Sequence, residues 1–217
     1  MKRIFILLLG LLSFSVTFAQ RNIEITGFGG YMLNGKIKTY TGDFPVDDNA
    51  NYGGIISIEG YSNTFFELMY NRTDTKFSYI RNGGLGFLGD EKLDLAVEYY
   101  QAGVLHQLDV HDIIKPFGIA TIGVVRFHPK DAVDFDGDGI YTNASDEWRM
   151  AATVGAGLKI LLSDRIGVRL QARMLLPMDF DGLFVGIGTG GASGGAGFRI
   201  PMLSGDFTGG LILRIGK

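Results

Sequence analysis

The segment R-I-G-V-R-L-Q-A-R-M-L-L-P, Arg165 to Pro177, decides which fold this sequence predicts. Its three arginines, at positions 165, 169 and 173, share one parity of the numbering, and apolar or small residues fill most of the other parity. Successive side chains of a β-strand point to opposite faces, whereas a helix, at about 100° per residue, would scatter the same arginines around its axis. The segment therefore predicts a strand between a polar and an apolar environment, with its arginines on the polar side.

Seven further segments show the same period-two alternation, and no segment has the pattern of a long amphipathic helix. The eight predicted strands cover 22–33, 52–61, 64–75, 92–106, 116–128, 147–162, 165–176 and 206–216. Short and long connections alternate between them. The long connections are 34–51, 76–91, 129–146 and 177–205. In an up-and-down meander this alternation places the short turns and both termini at one end and four long loops at the other, as in barrels of the bacterial outer membrane.

The start of the chain has the features of a secretory signal peptide. Lys2 and Arg3 precede an apolar run of about fifteen residues that ends at Ala19, and a transmembrane helix, the alternative, needs roughly twenty. We therefore predict a signal peptide at 1–19 and one mature domain at 20–217. This places the protein outside the cytoplasm.

Composition excludes several classes of protein. The chain has no cysteine, which excludes a disulfide framework and a lipid-anchored cysteine. Its 23 acidic residues outnumber the 20 basic ones, which argues against nucleic acid as a partner. Glycine is abundant, at 33 of 217 residues, without a collagen period. Within strands, such glycines permit tight curvature and leave room for long side chains on the polar face.

Charge distribution separates two closed barrels, a soluble lipocalin-like barrel and a membrane barrel. Opposite the apolar faces, the first four strands carry acidic residues and the last four carry basic ones: Glu24, Glu59, Glu67, Asp94 and Glu98, then Arg126, Arg149, Lys159, Arg165, Arg169, Arg173 and Arg214. Closure brings these two walls face to face, and unpaired buried charges are heavily penalised. The segregation therefore favours a membrane barrel with an ion-pair network in its lumen. Eight strands enclose a space that side chains can fill, which predicts a plugged lumen.

Aromatic residues near the predicted strand ends fit the same interpretation. They are Tyr31, Tyr70, Phe127, Trp148 and Phe207. In a membrane barrel they form an interfacial girdle. In a soluble barrel the same side chains would suggest a sugar-binding patch.

Several segments together resemble a known family. These are the Ala-Gln cleavage site, S-D-R-I-G-V-R-L-Q-A-R, P-F-G-I-A-T-I-G-V and the closing F-T-G-G-L-I-L-R-I-G-K. They are similar to small bacterial outer-membrane β-barrel proteins of the OmpA/OmpX-like, "porin family" kind, over nearly all of the mature chain. The resemblance implies an all-β, eight-stranded antiparallel transmembrane barrel in the outer membrane, and it implies no activity.

The third long loop contains a candidate calcium site. Asp134, Asp136, Asp138 and Gly139 match the first half of a calcium-binding loop, and Asp131 adds a further oxygen ligand. Position twelve of that motif is serine instead of glutamate, so a solvated acidic turn is the alternative interpretation. We expect at most a weak Ca²⁺ site within 131–147.

Two other features suggest chemistry less specifically. The glycine-rich stretch 186–197 lacks the lysine and the strand-to-helix context of a phosphate-binding loop, so a flexible external loop is expected. His128 and Ser145 lie near the same loop, which leaves a lipid-modifying enzyme as an alternative. His106 and His111 are the other histidines and are expected to be ordinary polar residues.

The sequence thus predicts a non-enzymatic, monomeric outer-membrane barrel with no catalytic residues and a structural or surface-interaction role through its outer loops. Its expected partners are outer-membrane lipid, the barrel assembly machinery, and an extracellular ligand or periplasmic partner. A narrow channel for small solutes, a lipid-modifying enzyme and a soluble periplasmic ligand barrel are the alternatives.

Overall fold

A computed structural model describes the chain over most of its length. The described residues are 22–39, 42–83, 86–130, 132–133, 142–143, 146–188, 191–199 and 202–216. Side-chain environments are described for 22–35, 46–76, 94–130, 146–178 and 202–216. The predicted signal peptide at 1–19 lies outside these ranges. Within them, no helix is long and apolar enough to cross a membrane.

Eight long strands form one antiparallel sheet. They are β1 (Ile23–Asn34), β4 (Asn49–Glu59), β5 (Thr64–Gly83), β6 (Gly86–Gln107), β7 (Ile114–Pro129), β10 (Glu147–Leu161), β11 (Ile166–Gly188) and β13 (Ser204–Ile215). Shorter strands extend the long connections: β2 (Lys36–Thr39), β3 (Gly42–Pro45), β8 (Ala132–Val133), β9 (Thr142–Asn143) and β12 (Gly191–Arg199). Each long strand pairs with the next one along the chain.

The sheet closes because β13 pairs with β1, with Glu24 opposite Arg214 and Ile25 opposite Leu213. Closure gives each of the eight long strands a ladder partner on both sides within the ring, which is how β-barrels satisfy their backbone hydrogen bonds. The prediction of an eight-stranded antiparallel up-and-down barrel is confirmed.

Within the segment Arg165 to Pro177, the polar face of strand β11 lies inside the barrel. Arg169 and Arg173 are buried, at 1% and 4% exposure, whereas Leu170 and Met174 on the opposite face are 45% and 46% exposed. Arg165 differs from the prediction, because it lies in the turn before β11 and is exposed. The barrel is therefore inverted relative to a soluble one: charges lie within it and apolar side chains cover its outside.

The short turn between β4 and β5 has the geometry that its sequence favours. Ser62 and Asn63 both have positive φ, at 53° and 59°. Two consecutive residues of this kind match the twist of a tight hairpin, and asparagine tolerates the left-handed region better than most residues.

Much of the predicted long-loop sequence is strand. β5 and β6 continue their ladder as far as Gly83 and Gly86, across the predicted loop 76–91. The prediction of a flexible loop at 186–197 was wrong for the described residues. There β12 pairs with the end of β11, from Arg199 opposite Asp179 to Gly191 opposite Gly188. Strand pairing uses backbone N–H and C=O groups, which every glycine has. A glycine-rich composition therefore did not end the ladder.

Lumen packing uses glycine where large side chains cross the barrel. A Cβ on Gly157 would lie 2.6 Å from Cζ of Phe117, and a Cβ on Gly53 would lie 2.7 Å from Cζ of Phe28. These phenylalanine rings occupy the space that the missing side chains leave. Gly118 faces outward, and a Cβ there would meet nothing within 4 Å.

Polarity reverses along β6 and β7 towards the long-loop end of the barrel. There, apolar residues fill the interior, in a cluster that includes Leu95, Val97, Tyr99, Val125 and Phe127. The predicted lumen positions of Asp94, Glu98 and Arg126 were wrong, since the alternation places these residues on the outer surface. Phe127 was likewise predicted in the outer girdle and lies inside. The physical reason is that the prediction assumed an apolar exterior along the whole strand, whereas β6 and β7 extend past the apolar band, where outward positions are polar.

Candidate functional site

The centre of the barrel contains three buried ion pairs, which we call the lumen ion pairs. At the short-turn end, Nζ of Lys159 lies 2.6 Å from Oε2 of Glu24, and both side chains are fully buried. Arg214 donates to the other oxygen of Glu24 through Nε at 3.0 Å and Nη2 at 2.9 Å. Strands β1, β10 and β13 are thus joined across the lumen by one carboxylate.

The second lumen ion pair joins Arg169 to Glu67 in a bidentate geometry, with N–O distances of 2.7 and 3.0 Å. Ser57 donates to the same carboxylate at 2.7 Å, and Nε of Arg169 donates to Gln171 at 2.7 Å. Such parallel, charge-assisted hydrogen bonds fix both side chains in position.

The third lumen ion pair joins Arg173 to Asp206, with Nε 2.9 Å from Oδ1. Asn51 donates to Asp206 at 2.8 Å and Asn71 at 3.3 Å. The sequence interpretation missed Asp206, although it has the same parity as Arg214 in the same predicted strand and could have been found on that basis.

One cation of each lumen ion pair also lies against an aromatic ring. Nζ of Lys159 is 4.0 Å from the ring centre of Phe65, Cζ of Arg169 is 4.7 Å from that of Phe117, and Cζ of Arg173 is 4.9 Å from that of Phe28. Cation–π attraction is strongest when the pair is desolvated. Acid, cation and ring therefore form three units inside the barrel.

Other predicted members of the network lie outside the lumen ion pairs. Glu59, near the short-turn end, accepts a hydrogen bond from Asn22. Arg149 donates to Glu147, two positions away on β10, at 2.6 Å. Asp94, on the outer surface, is 3.7 Å from Lys76.

A second charged network lies on the outer surface, on β5 to β7 and at the start of β10. We call it the charged girdle, and its members are Arg72, Asp74, Glu98, Arg126, Lys130 and Asp146. Glu98 accepts from Arg72 at 2.9 Å and from Arg126 at 3.1 Å. Arg126 also contacts Asp146 at 2.6 Å, and Lys130 contacts Asp74 at 2.9 Å. The girdle therefore has three cations and three carboxylates.

Aromatic residues border the charged girdle on its short-turn side. Tyr70 and Tyr100 both donate their hydroxyls to Glu98, at 3.1 and 3.2 Å. The ring of Tyr100 lies 5.1 Å from that of Tyr70 and 6.0 Å from that of Trp148, and Arg126 lies over the Trp148 ring at 5.8 Å. Rings of this kind mark the boundary between apolar and polar surroundings.

His128 contacts Asp146 at 2.5 Å, and Asp146 also accepts from Arg126. These hydrogen bonds, from His128 first and Arg126 second, hold the pKa of the Asp146 carboxyl below its ordinary value. Ser145, the other residue of the predicted enzyme alternative, lies outside the described residues. Elsewhere, His106 contacts Thr64 and His111 accepts from the backbone of Ile113.

The candidate calcium ligands Asp134, Asp136 and Asp138 also lie outside the described residues, as does Asp131. Within the described ranges, no group of three or more acidic, histidine or cysteine side chains is arranged to hold a metal ion. The calcium site stays a prediction from the sequence.

No family model matches the chain, and no curated protein matches it. Among solved structures, Neisserial surface protein A aligns with 89% of this chain and 97% of its own, at a TM-score of 0.54 and 12% identity. Outer membrane protein OprG of Pseudomonas aeruginosa aligns with 92% and 97%, at 0.50 and 13%. Ail of Yersinia pestis aligns with 90% and 99%, at 0.46 and 10%. At such identities the likeness to the first two structures shows the fold alone, which is that of small eight-stranded outer-membrane β-barrels.

Proposed function

We propose that the protein is a non-enzymatic, monomeric outer-membrane barrel with a closed lumen, which acts as a structural element and as a surface contact through its long-loop end. The observation that carries this proposal is the set of three buried ion pairs and three rings inside the barrel, which lie in the path of a solute. A channel needs continuous free space along its axis, and these desolvated, hydrogen-bonded groups are costly to displace.

Membrane placement is supported by the exterior of the barrel. Large apolar side chains there are 40–60% exposed on several strands, among them Leu68, Ile122, Leu170 and Leu213. In water this much exposed apolar surface would drive association, whereas in a bilayer it is solvated by lipid. The predicted signal peptide supplies export, and the barrel assembly machinery is the proposed partner for insertion.

Cell fractionation tests this placement. We expect the protein in the outer-membrane fraction, soluble only with detergent, and we expect its gel mobility to change on boiling because the closed barrel resists unfolding in cold detergent. Recovery in the soluble periplasmic fraction would instead favour a soluble ligand-binding barrel.

Planar-bilayer recording tests the closed lumen. The native protein is expected to give no steady conductance. A Glu67→Ala/Arg169→Ala double variant removes one whole ion pair without leaving a lone charge, and it is expected to give brief openings. These openings serve as the positive control that the assay detects free space in the lumen. Steady opening of the native barrel would contradict the proposal and favour a narrow channel for small solutes.

The proposal assigns no catalytic residue. His128 has an acidic neighbour, as a catalytic histidine often does, but Arg126 already engages that carboxylate in a charge-assisted pair. A structural role for His128 beside the charged girdle accounts for its contact with Asp146.

A further inference from the structure

An apolar groove crosses the outer surface of β1 and of β4 to β7. It has a volume of about 640 Å³ and is lined mainly by apolar atoms. Its floor is low at Ala102, because this small residue lies between Leu68 on β5 and Ile122 on β7, which are 58% and 55% exposed. A methyl group between two long side chains leaves a depression wide enough for a hydrocarbon chain.

The groove ends at the charged girdle. Tyr70 and Tyr100 line the groove with their rings and donate their hydroxyls to Glu98. An amphiphile whose chain lay in the groove would therefore place its polar end against Arg72 and Arg126, which cover the buried carboxylate of Glu98. The apolar surface and the polar cluster are one continuous feature.

The depth of the girdle matches a membrane surface. Glu98 lies nine positions from Gln107, where β6 ends at the short turns. At ~3.4 Å per residue and a strand tilt of ~40°, nine positions rise roughly 23 Å, close to the ~25 Å apolar band of an outer-membrane barrel. The girdle therefore lies at the headgroup level on the long-loop side, which is the outer leaflet.

The composition of the girdle favours sugar hydroxyls over an isolated phosphate. Its three cations, Arg72, Arg126 and Lys130, are balanced by three carboxylates, and each cation already has an acidic partner. A free phosphate would have to displace those carboxylates. Sugar hydroxyls both donate and accept, so they can join the network without breaking it, and they pack against rings such as Trp148.

We propose that the groove and the charged girdle together bind one glycolipid of the outer leaflet, with an acyl chain in the groove and the saccharide headgroup against the girdle. This inference rests on the proposed membrane placement, and it adds a specific lipid site on the outside of the barrel to a protein whose lumen is closed.

Native mass spectrometry of the detergent-purified full chain tests the site. The probes are a synthetic acylated disaccharide lipid and, as a headgroup comparison, dioleoyl phosphatidylglycerol. The native protein is expected to retain one disaccharide lipid at least tenfold more strongly than phosphatidylglycerol. Equal retention of both would overturn the proposal and indicate ordinary annular lipid.

Variants locate the lipid on the surface. Ala102→Phe fills the groove and is expected to reduce retention of the disaccharide lipid about tenfold. Ala120→Phe makes the same change at an exposed outward position on β7 that does not line the groove, and it is expected to bind normally. Equal binding by both variants would overturn the proposal.

A third variant tests the headgroup contact. Glu98→Gln keeps the shape of the side chain and removes the charge that organises the girdle, so selectivity for the disaccharide lipid should fall while retention of phosphatidylglycerol is unchanged. Unchanged selectivity would remove the girdle from the site. The heat-modifiable gel mobility of each variant reports separately whether it folds. If the proposed membrane placement is wrong, the native protein will be recovered in the soluble fraction without detergent.

Discussion

At the scale of single residues, every lumen ion pair combines a cation, a carboxylate and a phenylalanine ring, and the Glu24 pair has Arg214 as a second cation. The sequence allowed the cations and two of the carboxylates to be identified, because they share the parity opposite a clear apolar face. It did not identify Phe28, Phe65 and Phe117 as lumen residues. A ring on the polar face weakens the alternation of β1, β5 and β7, so the pattern that reveals a lumen charge also hides the ring packed against it.

Replacing Arg169 by leucine is expected to destabilise the barrel by about 3–5 kcal/mol, because Glu67 would keep its charge in a desolvated site without its main partner. The measurement is the midpoint of urea unfolding in detergent. Arg165→Leu, at an exposed turn position in the same segment, is the matched control and is expected to change stability by less than ~0.5 kcal/mol.

The double variant Glu67→Leu/Arg169→Leu separates pairing from packing. Since no lone charge remains, it should recover most of the stability that Arg169→Leu loses. If the double variant loses as much stability as Glu67→Leu and Arg169→Leu lose together when measured singly, the two residues do not interact as the structure indicates.

At the scale of elements, the positions of the barrel strands followed from alternation, and the faces of β10, β11 and β13 were assigned correctly. The faces of β6 and β7 were not. Alternation shows that two faces differ in polarity, but the identity of the surrounding medium decides which face is outside. On β6 the outward residues change from apolar to polar at Tyr100. On its short-turn side the outward face is the apolar one, and on its long-loop side the inward face is. In a single sequence, only the aromatic residues mark where this change occurs.

Gly157→Val should destabilise the barrel by about 1–3 kcal/mol, because the new side chain would overlap the Phe117 ring and the backbone of β11. Gly118→Val is the matched comparison on the adjacent strand, where the side chain enters open space on the outer surface, and it should have little effect or stabilise the strand slightly. Unfolding midpoints in detergent measure both. A Gly157→Val protein as stable as the native one would contradict the described lumen packing.

At the scale of the whole molecule, barrel closure and the inverted distribution of polarity could be predicted, because segregated charges need partners across a lumen. The continuation of the ladder past the apolar band could not, since backbone pairing leaves little trace in composition. The charged girdle was also missed as a unit. Its residues are far apart in sequence, and only the register of β5, β6 and β7 brings Arg72, Glu98 and Arg126 into one row.

A disulfide across the closing pair of strands tests the topology directly, since the chain has no cysteine of its own. Ile25 lies opposite Leu213, and opposite residues on antiparallel strands have Cα atoms ~4.5–5.5 Å apart, within the range that a disulfide spans. The Ile25→Cys/Leu213→Cys protein should cross-link within one chain on mild oxidation. Ile25→Cys/Gly209→Cys, four residues out of register, should not; the reverse outcome would reject the closure.

The extended β5–β6 hairpin sets how far this protein reaches. β6 continues twelve positions from Glu98 to Gly86, which is ~40 Å of strand at ~3.3 Å per residue. Anchored at headgroup level by the girdle, such a stalk would carry its tip well clear of the bilayer and beyond the inner sugars of neighbouring lipids. Under the proposed membrane placement, bulky macromolecules that cannot approach the lipid surface would still meet the end of this hairpin.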